Sequence, residues 1–125
     1  MSETPFIEHY VVDDDILVLK LHGSLDASKT DEFHDEVQKH LGEDKHRIII
    51  DGSNLGYISS LGIGALMALE SRLRKLGGAV KLCSLQGNLV DLLSIVRLDR
   101  VLGIYGDIQF AREAFAEEGQ ASTES

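Results

Sequence analysis

Three consecutive isoleucines near the middle of the chain constrain the fold more than any other feature. Ile48, Ile49 and Ile50 follow one another without a polar residue between them, in a β-rich segment that spans residues 47–51. A strand with one face in water alternates apolar and polar residues, whereas a strand covered on both faces is apolar throughout. The run therefore predicts a strand inside a sheet that is covered on both faces.

Strand-like and helix-like segments alternate on either side of this run. Strands are expected over residues 16–21, 47–51, 79–83 and 101–105, and helices over about 27–41, 60–76, 89–96 and from 107 onward. Asp26 or Ser28 is expected to cap the first helix, and Gly42 to end it. This βαβ spacing predicts an α/β domain with about four helices, a mostly parallel sheet and right-handed crossovers.

The N-terminal segment adds a hairpin to this pattern. Residues 6–12 are expected to form an edge strand, and Asp13, Asp14 and Asp15 the turn into the next strand. One antiparallel strand makes the predicted sheet mixed. A chain of 125 residues, 43% of them hydrophobic, suits a single domain, which we place at residues 6–115. Residues 1–5 are expected to be a flexible N-terminus, and residues 116–125 a flexible polar tail.

The charge balance restricts the class of partner. The formal net charge is −9 and the isoelectric point is about 4.9. Nucleic acids and anionic membrane surfaces attract clustered lysine and arginine, so neither is expected as a partner. No basic leader followed by an apolar segment begins the chain, and no apolar run has the length of a membrane span. The sequence therefore predicts a cytoplasmic protein without membrane insertion, whose partner presents basic groups.

Metal and cofactor motifs are missing from the sequence. The single cysteine, Cys83, permits no disulfide within the chain and no cysteine-based zinc site. None of the histidines belongs to a ligand motif, and all are expected to be exposed to solvent: His9, His22, His34, His40 and His46. The glycine pair Gly62 and Gly64 lacks the residues that complete a phosphate or dinucleotide loop. We therefore predict no metal and no cofactor.

Ser59 and Ser60 lie at a predicted strand-to-helix turn, where hydrolases of one class carry a nucleophilic serine. The first glycine of that motif is missing, and no histidine follows His46 to complete the triad. An enzyme is therefore not expected. Two interpretations remain: a serine here caps the helix, or it belongs to a contact surface at the carboxyl end of a strand. Capping is the commoner role of a serine at a helix start. Apolar neighbours without a polar role support the contact surface as the alternative, namely Leu55, Tyr57, Ile58, Leu61 and Ile63.

Three segments together resemble the STAS domain family, in particular the bacterial anti-sigma factor antagonists. The sequence Gly-Ser-Leu-Asp at residues 23–26 is similar to a Gly-x-Leu-Asp element of the family. Residues 48–51 and 55–66 resemble its central strand, switch loop and second helix. Residues 77–83 resemble the following turn and strand. The similarity in element order extends over about residues 6–115 and implies the STAS fold.

The resemblance also implies a function. An unphosphorylated antagonist of this family binds an anti-sigma factor and so releases the sigma factor. The anti-sigma factor is usually a serine kinase with a histidine-kinase-like ATPase fold. The kinase phosphorylates a serine of the antagonist, and the complex dissociates. A PP2C-type phosphatase then removes the phosphate. Catalysis therefore belongs to the partners.

The motif can be carried over residue by residue. The family's common switch is Asp-Ser-Ser/Thr-Gly, and alignment on Gly62 places Ser60 at the phosphorylated position and Ser59 at that of the aspartate. The resemblance thus implies phosphorylation of Ser60, with Ser59 as second choice. The implied partner-binding residues are Ser24, Asp26, Tyr57, Ile58, Ser59, Leu61, Gly62 and Ile63.

An alternative function within the same family needs no phosphorylation. Some STAS domains are adaptors, such as accessory subunits of lipid ABC transporters, and bind an ATPase subunit. The apolar patch near Tyr57 could also serve a homodimer.

Overall fold

The structure, a computed structural model, describes residues 4–41 and 46–124, and side chains as far as residue 118. The strands are β1 (Ile7–Val12), β2 (Ile16–Leu25), β3 (Arg47–Ile58), β4 (Ala79–Cys83) and β5 (Gly103–Tyr105). The α-helices are α1 (Thr30–His40), α2 (Ser60–Lys75), α3 (Gly87–Ile95) and α4 (Ile108–Glu124), and a short 3₁₀ helix spans Leu98–Arg100.

The strands form one sheet in the order in which they occur along the chain. β1 is antiparallel to β2, and all the other neighbouring pairs are parallel. The predicted α/β fold with a mixed, mostly parallel sheet and an N-terminal hairpin is thereby confirmed. Because each parallel strand is added on the same side of the previous one, right-handed crossovers place their helices on one face of the sheet. α1, α2 and α3 cover that face, and α4 covers the other.

The three isoleucines occupy the centre of this arrangement. Ile48 and Ile50 pack beneath the helices α1 to α3, whereas Ile49 faces the opposite side and packs with Phe115 of α4. All three are almost fully buried. Alternate residues of a strand point to opposite faces, so a sheet covered on both sides needs apolar residues at every position. The prediction of a strand covered on both faces is confirmed.

β3 is much longer than the five residues predicted for it. The strand continues through Gly52, Ser53 and Asn54 to Ile58, because β2 also continues and provides a hydrogen-bonding partner. Glycine, serine and asparagine are poor strand formers, and pairing with a neighbouring strand outweighs their preference. The predicted end of this strand at residue 51 is therefore wrong, and β3 runs up to the start of α2.

The start of α1 and the start of β5 also differ from the prediction. α1 begins at Thr30, and neither Asp26 nor Ser28 caps it, since these two residues bond to each other in the preceding turn. Gly42, its predicted end, lies outside the described residues. β5 covers only Gly103–Tyr105, because the backbone N–H groups of Val101 and Leu102 donate to the carbonyl oxygen of Leu98 in the turn after the 3₁₀ helix.

The backbone beyond residue 115 continues the last helix. α4 continues to Glu124, so the backbone of the predicted polar tail is helical as far as that residue. Alanine, glutamate and glutamine, which are strong helix formers, favour this continuation. In the described ranges 4–41 and 46–124, no helix combines the length and apolarity that crossing a membrane requires.

Candidate functional site

The carboxyl ends of β2 and β3 meet the amino end of α2 and together form the candidate site. Ser24 pairs with Tyr57, and Leu25 with Ile58, in the last parallel register of the two strands. The backbone N–H of Ser59 then donates to the carbonyl oxygen of Leu25 at 3.0 Å. Asp26 follows Leu25 directly, so two segments that are far apart in sequence bring it next to the serine pair.

An irregularity in β2 precedes this junction. The register against β3 shifts between Lys20 and His22 and again between Gly23 and Ser24. Gly23 has a φ of +87°, in the left-handed region that favours glycine. Bulges of this kind bend a strand and redirect its side chains, and they are frequent next to functional sites.

The two serines have different roles in the structure. Ser59 is the N-cap of α2, and its hydroxyl oxygen accepts a hydrogen bond from the backbone N–H of Gly62 at 3.1 Å. Ser60 is the first helical residue and is exposed, and its hydroxyl makes no hydrogen bond to any described residue. The capping interpretation therefore applies to Ser59, while the hydroxyl of Ser60 is available for chemistry.

Gly62 allows the start of α2 to approach the sheet closely. A Cβ atom at this position would overlap the carbonyl oxygen of Leu25. Only glycine permits this approach without a shift of the backbone. Gly64 differs, because a Cβ there would meet nothing within 4 Å. The helix therefore approaches the sheet closely at Gly62 and not at Gly64.

Asp26 is fixed in the turn that follows β2. One carboxylate oxygen accepts from the hydroxyl of Ser28 at 2.6 Å and from its backbone N–H at 3.0 Å, and the other accepts from the hydroxyl of Ser24 at 3.0 Å. The hydrogen bonds from Ser28, then that from Ser24, lower the pKa of the Asp26 carboxyl. Asp26 is therefore a fixed negative charge beside the serine pair.

Ser28 was not among the predicted site residues, although it positions Asp26. The spacing Asp-x-Ser was the available signal, because an aspartate often accepts from groups two residues later in the chain. The helix-capping interpretation of both residues obscured this signal.

The apolar residues of the site divide into a surface pair and a buried set. Tyr57 and Leu61 are 56% and 61% exposed, on either side of Ser60 in sequence. Ile58 is 2% exposed and belongs to the core, Gly62 is buried, and half-buried Ile63 packs against the core. Strand alternation turns Ile58 inward, so this predicted contact residue is buried in the core. Gly62, another predicted contact residue, instead positions the start of α2.

The amino end of α2 at Ser60 favours an anion, whereas the neighbouring Asp26 carboxylate opposes one. The first turn of α2 contains no acidic side chain, and Arg72, Arg74 and Lys75 lie in its last turn. The amino end of a helix carries a partial positive charge and free backbone N–H groups. A phosphoryl group on Ser60 would therefore be compatible with the folded helix.

Residues 9–111 match the STAS domain family. A curated relative, the candidate anti-sigma factor antagonist BtrV of Bordetella bronchiseptica, is 22% identical over 102 residues, which are 82% of this chain and 88% of the relative. The match of the family to more than half of the chain establishes membership independently of any single relative.

Solved structures share the fold. A candidate anti-sigma factor antagonist from Thermotoga maritima has a TM-score of 0.80 and 25% identity, over 86% of this chain and 92% of that one. Unphosphorylated SpoIIAA, an anti-sigma factor antagonist, has a TM-score of 0.75 and 15% identity, over 89% and 96%. The phosphorylated form of SpoIIAA from Bacillus has a TM-score of 0.68. By its sequence and its fold, this chain belongs to the STAS domain family.

Proposed function

We propose that this protein is an anti-sigma factor antagonist that acts by partner switching. Its unphosphorylated form binds an anti-sigma factor with serine kinase activity in the cytoplasm, and the sigma factor is released. Phosphorylation of Ser60 ends the complex, and a PP2C-type phosphatase restores the binding form. The functions named for BtrV and for the protein of Thermotoga maritima support the antagonist role.

The exposed hydroxyl of Ser60 is the observation that carries this proposal. A kinase needs an acceptor oxygen that it can reach and that no other group holds. Ser60 meets both conditions, whereas the hydroxyl of Ser59 is half-buried and engaged with the backbone of Gly62. In the transfer, the Ser60 hydroxyl loses its proton, its oxygen bonds to the γ-phosphorus of ATP, and ADP leaves.

The surface around Ser60 has the composition of a protein contact. Tyr57 and Leu61 supply exposed apolar area, and Ser24 and Asp26 supply polar groups at its edge. Interfaces commonly combine an apolar centre that includes an aromatic residue with a polar rim. The net charge of −9 favours a partner that presents basic residues.

Phosphorylation would alter this contact without unfolding the domain. A phosphoserine carries about −1.5 to −2 charges at pH 7. Ser60 lies between the exposed residues Tyr57 and Leu61 in sequence. A charge on Ser60 would lose its hydration when a partner covers this surface, which would greatly weaken binding. The positive end of α2 accommodates the same charge in the free protein. The modification therefore acts on the complex.

Mass spectrometry of the protein purified from its native cells tests the proposal. We expect an intact mass raised by one phosphate in part of the population, mapped to Ser60 and removed by a phosphatase. A phosphate on Ser59 would retain the switch and overturn the assignment of the residue. An unmodified chain under all growth conditions, together with a stable complex with a transporter ATPase, would establish the adaptor function instead.

Pull-downs from the same cells test the surface. We expect the wild-type chain and Ser60→Ala to retain a kinase partner, and Ser60→Asp and Leu61→Ser to lose it. Ile95→Ser is the matched control, because Ile95 is 77% exposed on α3 but lies near the opposite end of the sheet. Equal loss with Ile95→Ser, or full retention with Leu61→Ser, would contradict the proposed surface.

A further inference from the structure

We propose that His9, Glu36 and His40 form a binding site for a divalent transition-metal ion, with Zn²⁺ as the best match. One potential ligand atom from each of the three side chains lies within 4.8 Å of the others. This cluster is separate from the surface around Ser60. The sequence predicted no metal site, because His9 is distant from the other two residues along the chain.

Local geometry explains how the fold assembles the cluster. Glu36 and His40 are four residues apart on α1, so they lie on the same face of the helix, one turn apart. His9 lies on β1, two residues after Ile7, and both side chains point to the same face of the sheet. Ile7 belongs to the core beneath α1, so His9 faces the last turn of that helix.

The contacts between the three side chains are close but leave a nitrogen unsatisfied. The imidazole rings of His9 and His40 are stacked, with centroids 3.8 Å apart and an angle of 28° between their planes. Nε2 of His40 lies 3.2 Å from Oε2 of Glu36. That nitrogen is buried and has no hydrogen-bond partner among the described residues, so the short distance lacks hydrogen-bond geometry. A buried polar atom of this kind needs a further partner, which an ion would supply.

The chemistry of the three groups favours zinc over the common hard cations. Two imidazoles and one carboxylate form a ligand set that is typical of zinc sites, whereas Ca²⁺ and Mg²⁺ prefer oxygen ligands. Zinc bonds of about 2.0–2.2 Å in tetrahedral geometry place ligand atoms about 3.3 Å apart. The ligand atoms are at most 4.8 Å apart, and rotation of these partly exposed side chains can bring them to that separation. The fourth position would hold water.

Competition from neighbouring cations does not block the site. Nζ of Lys39 lies 3.6 Å from Oε1 of Glu36, and this lysine side chain is 68% exposed. The pair uses the carboxylate oxygen opposite to the one that faces His40. Such exposed ion pairs are weak, so the lysine can move away when a metal ion binds.

The position of the cluster indicates what a bound ion would do. α1 runs from the carboxyl end of β2 back towards the amino end of β3, so its last turn is remote from Ser60. An ion held by His9 and the α1 pair would fasten the edge strand β1 to this helix. The stability of the fold would then depend on the metal, while the partner-binding surface stays open.

Calorimetric titration of the metal-free, full-length protein with ZnCl₂ tests the site, after removal of any polyhistidine tag. We expect one ion per chain, confirmed by native mass spectrometry, and a rise in melting temperature that EDTA reverses. His9→Ala and Glu36→Gln should each weaken Zn²⁺ binding by at least about tenfold, because even the loss of an outer-shell residue usually costs about 10–100-fold. Circular dichroism verifies that both variants fold.

His34→Ala is the matched control, since His34 is exposed on the same helix and outside the cluster. It should bind Zn²⁺ with the affinity of the wild type. The absence of binding to the wild type, or equal affinity of the wild type and His9→Ala, would overturn the proposal. An equal loss in His34→Ala would also overturn it, because it would place the ion elsewhere on α1.

Discussion

The hydroxyl oxygen of Ser59 accepts a hydrogen bond from the backbone N–H of Gly62 and so occupies the capping position of α2. This contact separates two adjacent serines by role. Ser59 satisfies one of the helix donors that would otherwise be unpaired. Ser60 is left on the surface with its hydroxyl unengaged, and it can change chemically without loss of the cap.

Alanine substitution distinguishes the two serines by stability. Ser59→Ala should lower the free energy of unfolding by about 0.5–2 kcal/mol, because the N-cap hydrogen bond is lost. Ser60→Ala should change it by no more than about 0.5 kcal/mol, as for other exposed sites. Urea denaturation at equilibrium measures both values. A larger loss in Ser60→Ala than in Ser59→Ala would reverse the assignment of the cap.

Two glycines of α2 should respond in opposite directions to alanine. Gly62→Ala places a methyl group against the carbonyl oxygen of Leu25 and should cost about 1–3 kcal/mol of stability. Gly64→Ala meets open space and should stabilise the helix by about 0.5–1 kcal/mol. Thermal melting of both variants and of the wild type measures these changes in stability. Destabilisation by Gly64→Ala would show that the start of α2 is packed differently.

Leu66 tests which face of α2 is buried. Its side chain is 1% exposed in the core beneath the helix, so Leu66→Ala should lower the free energy of unfolding by about 2–5 kcal/mol. The neighbouring Met67 is 43% exposed, and Met67→Ala should cost less than about 1 kcal/mol. Denaturant titrations of the pair provide the comparison. Similar costs would mean that the helix is rotated about its axis.

The pH dependence of stability should reveal the hydrogen bonds to Asp26. Ser28 and Ser24 lower the pKa of this carboxyl in the folded protein below its usual value of about 3.9. The stabilisation is therefore complete above the unfolded pKa and is lost as the pH falls through the folded one. The stability advantage of the wild type over Asp26→Asn should shrink at acidic pH.

NMR titration of the Asp26 carboxyl carbon provides the direct measurement. Its midpoint should lie below that of a model aspartate and should rise in Ser28→Ala, which removes the hydroxyl donor at 2.6 Å. Ser94→Ala, which removes an exposed hydroxyl on α3, is the control and should leave the midpoint unchanged. A wild-type midpoint at or above the ordinary value would contradict the observed hydrogen bonding.

The order of strands and helices followed from the sequence, because the forces that set it act locally. The run at 48–50 predicted a strand covered on both faces, and the structure confirms it. The helical stretch from Ser60 was predicted to within one residue of its end. Burial of apolar side chains stabilises these patterns whichever segments pack together. They therefore predict strands and helices without knowledge of the segments that cover them.

The details of the candidate site depended on contacts between distant segments. Residues 52–58 became a strand only because β2 extends beside them, and this pairing turns Ile58 into the core and leaves Tyr57 exposed. Likewise, from the sequence either Ser59 or Ser60 could cap the helix or belong to the contact surface. The close approach of Gly62 to Leu25 places the N–H of Gly62 where the hydroxyl of Ser59 accepts from it.

The histidines show the same division most clearly. All five histidines were predicted to be exposed, whereas His22, His40 and His46 are half-buried in the structure. The ring of His9 stacks on that of His40. The spacing of Glu36 and His40 was visible on one helix, but the third group of that cluster comes from β1. Local patterns determined the fold of this protein, because burial of a periodic apolar face does not depend on which element covers it. Only the tertiary structure decided which polar side chains meet, because strand register and helix placement bring them together across the sheet.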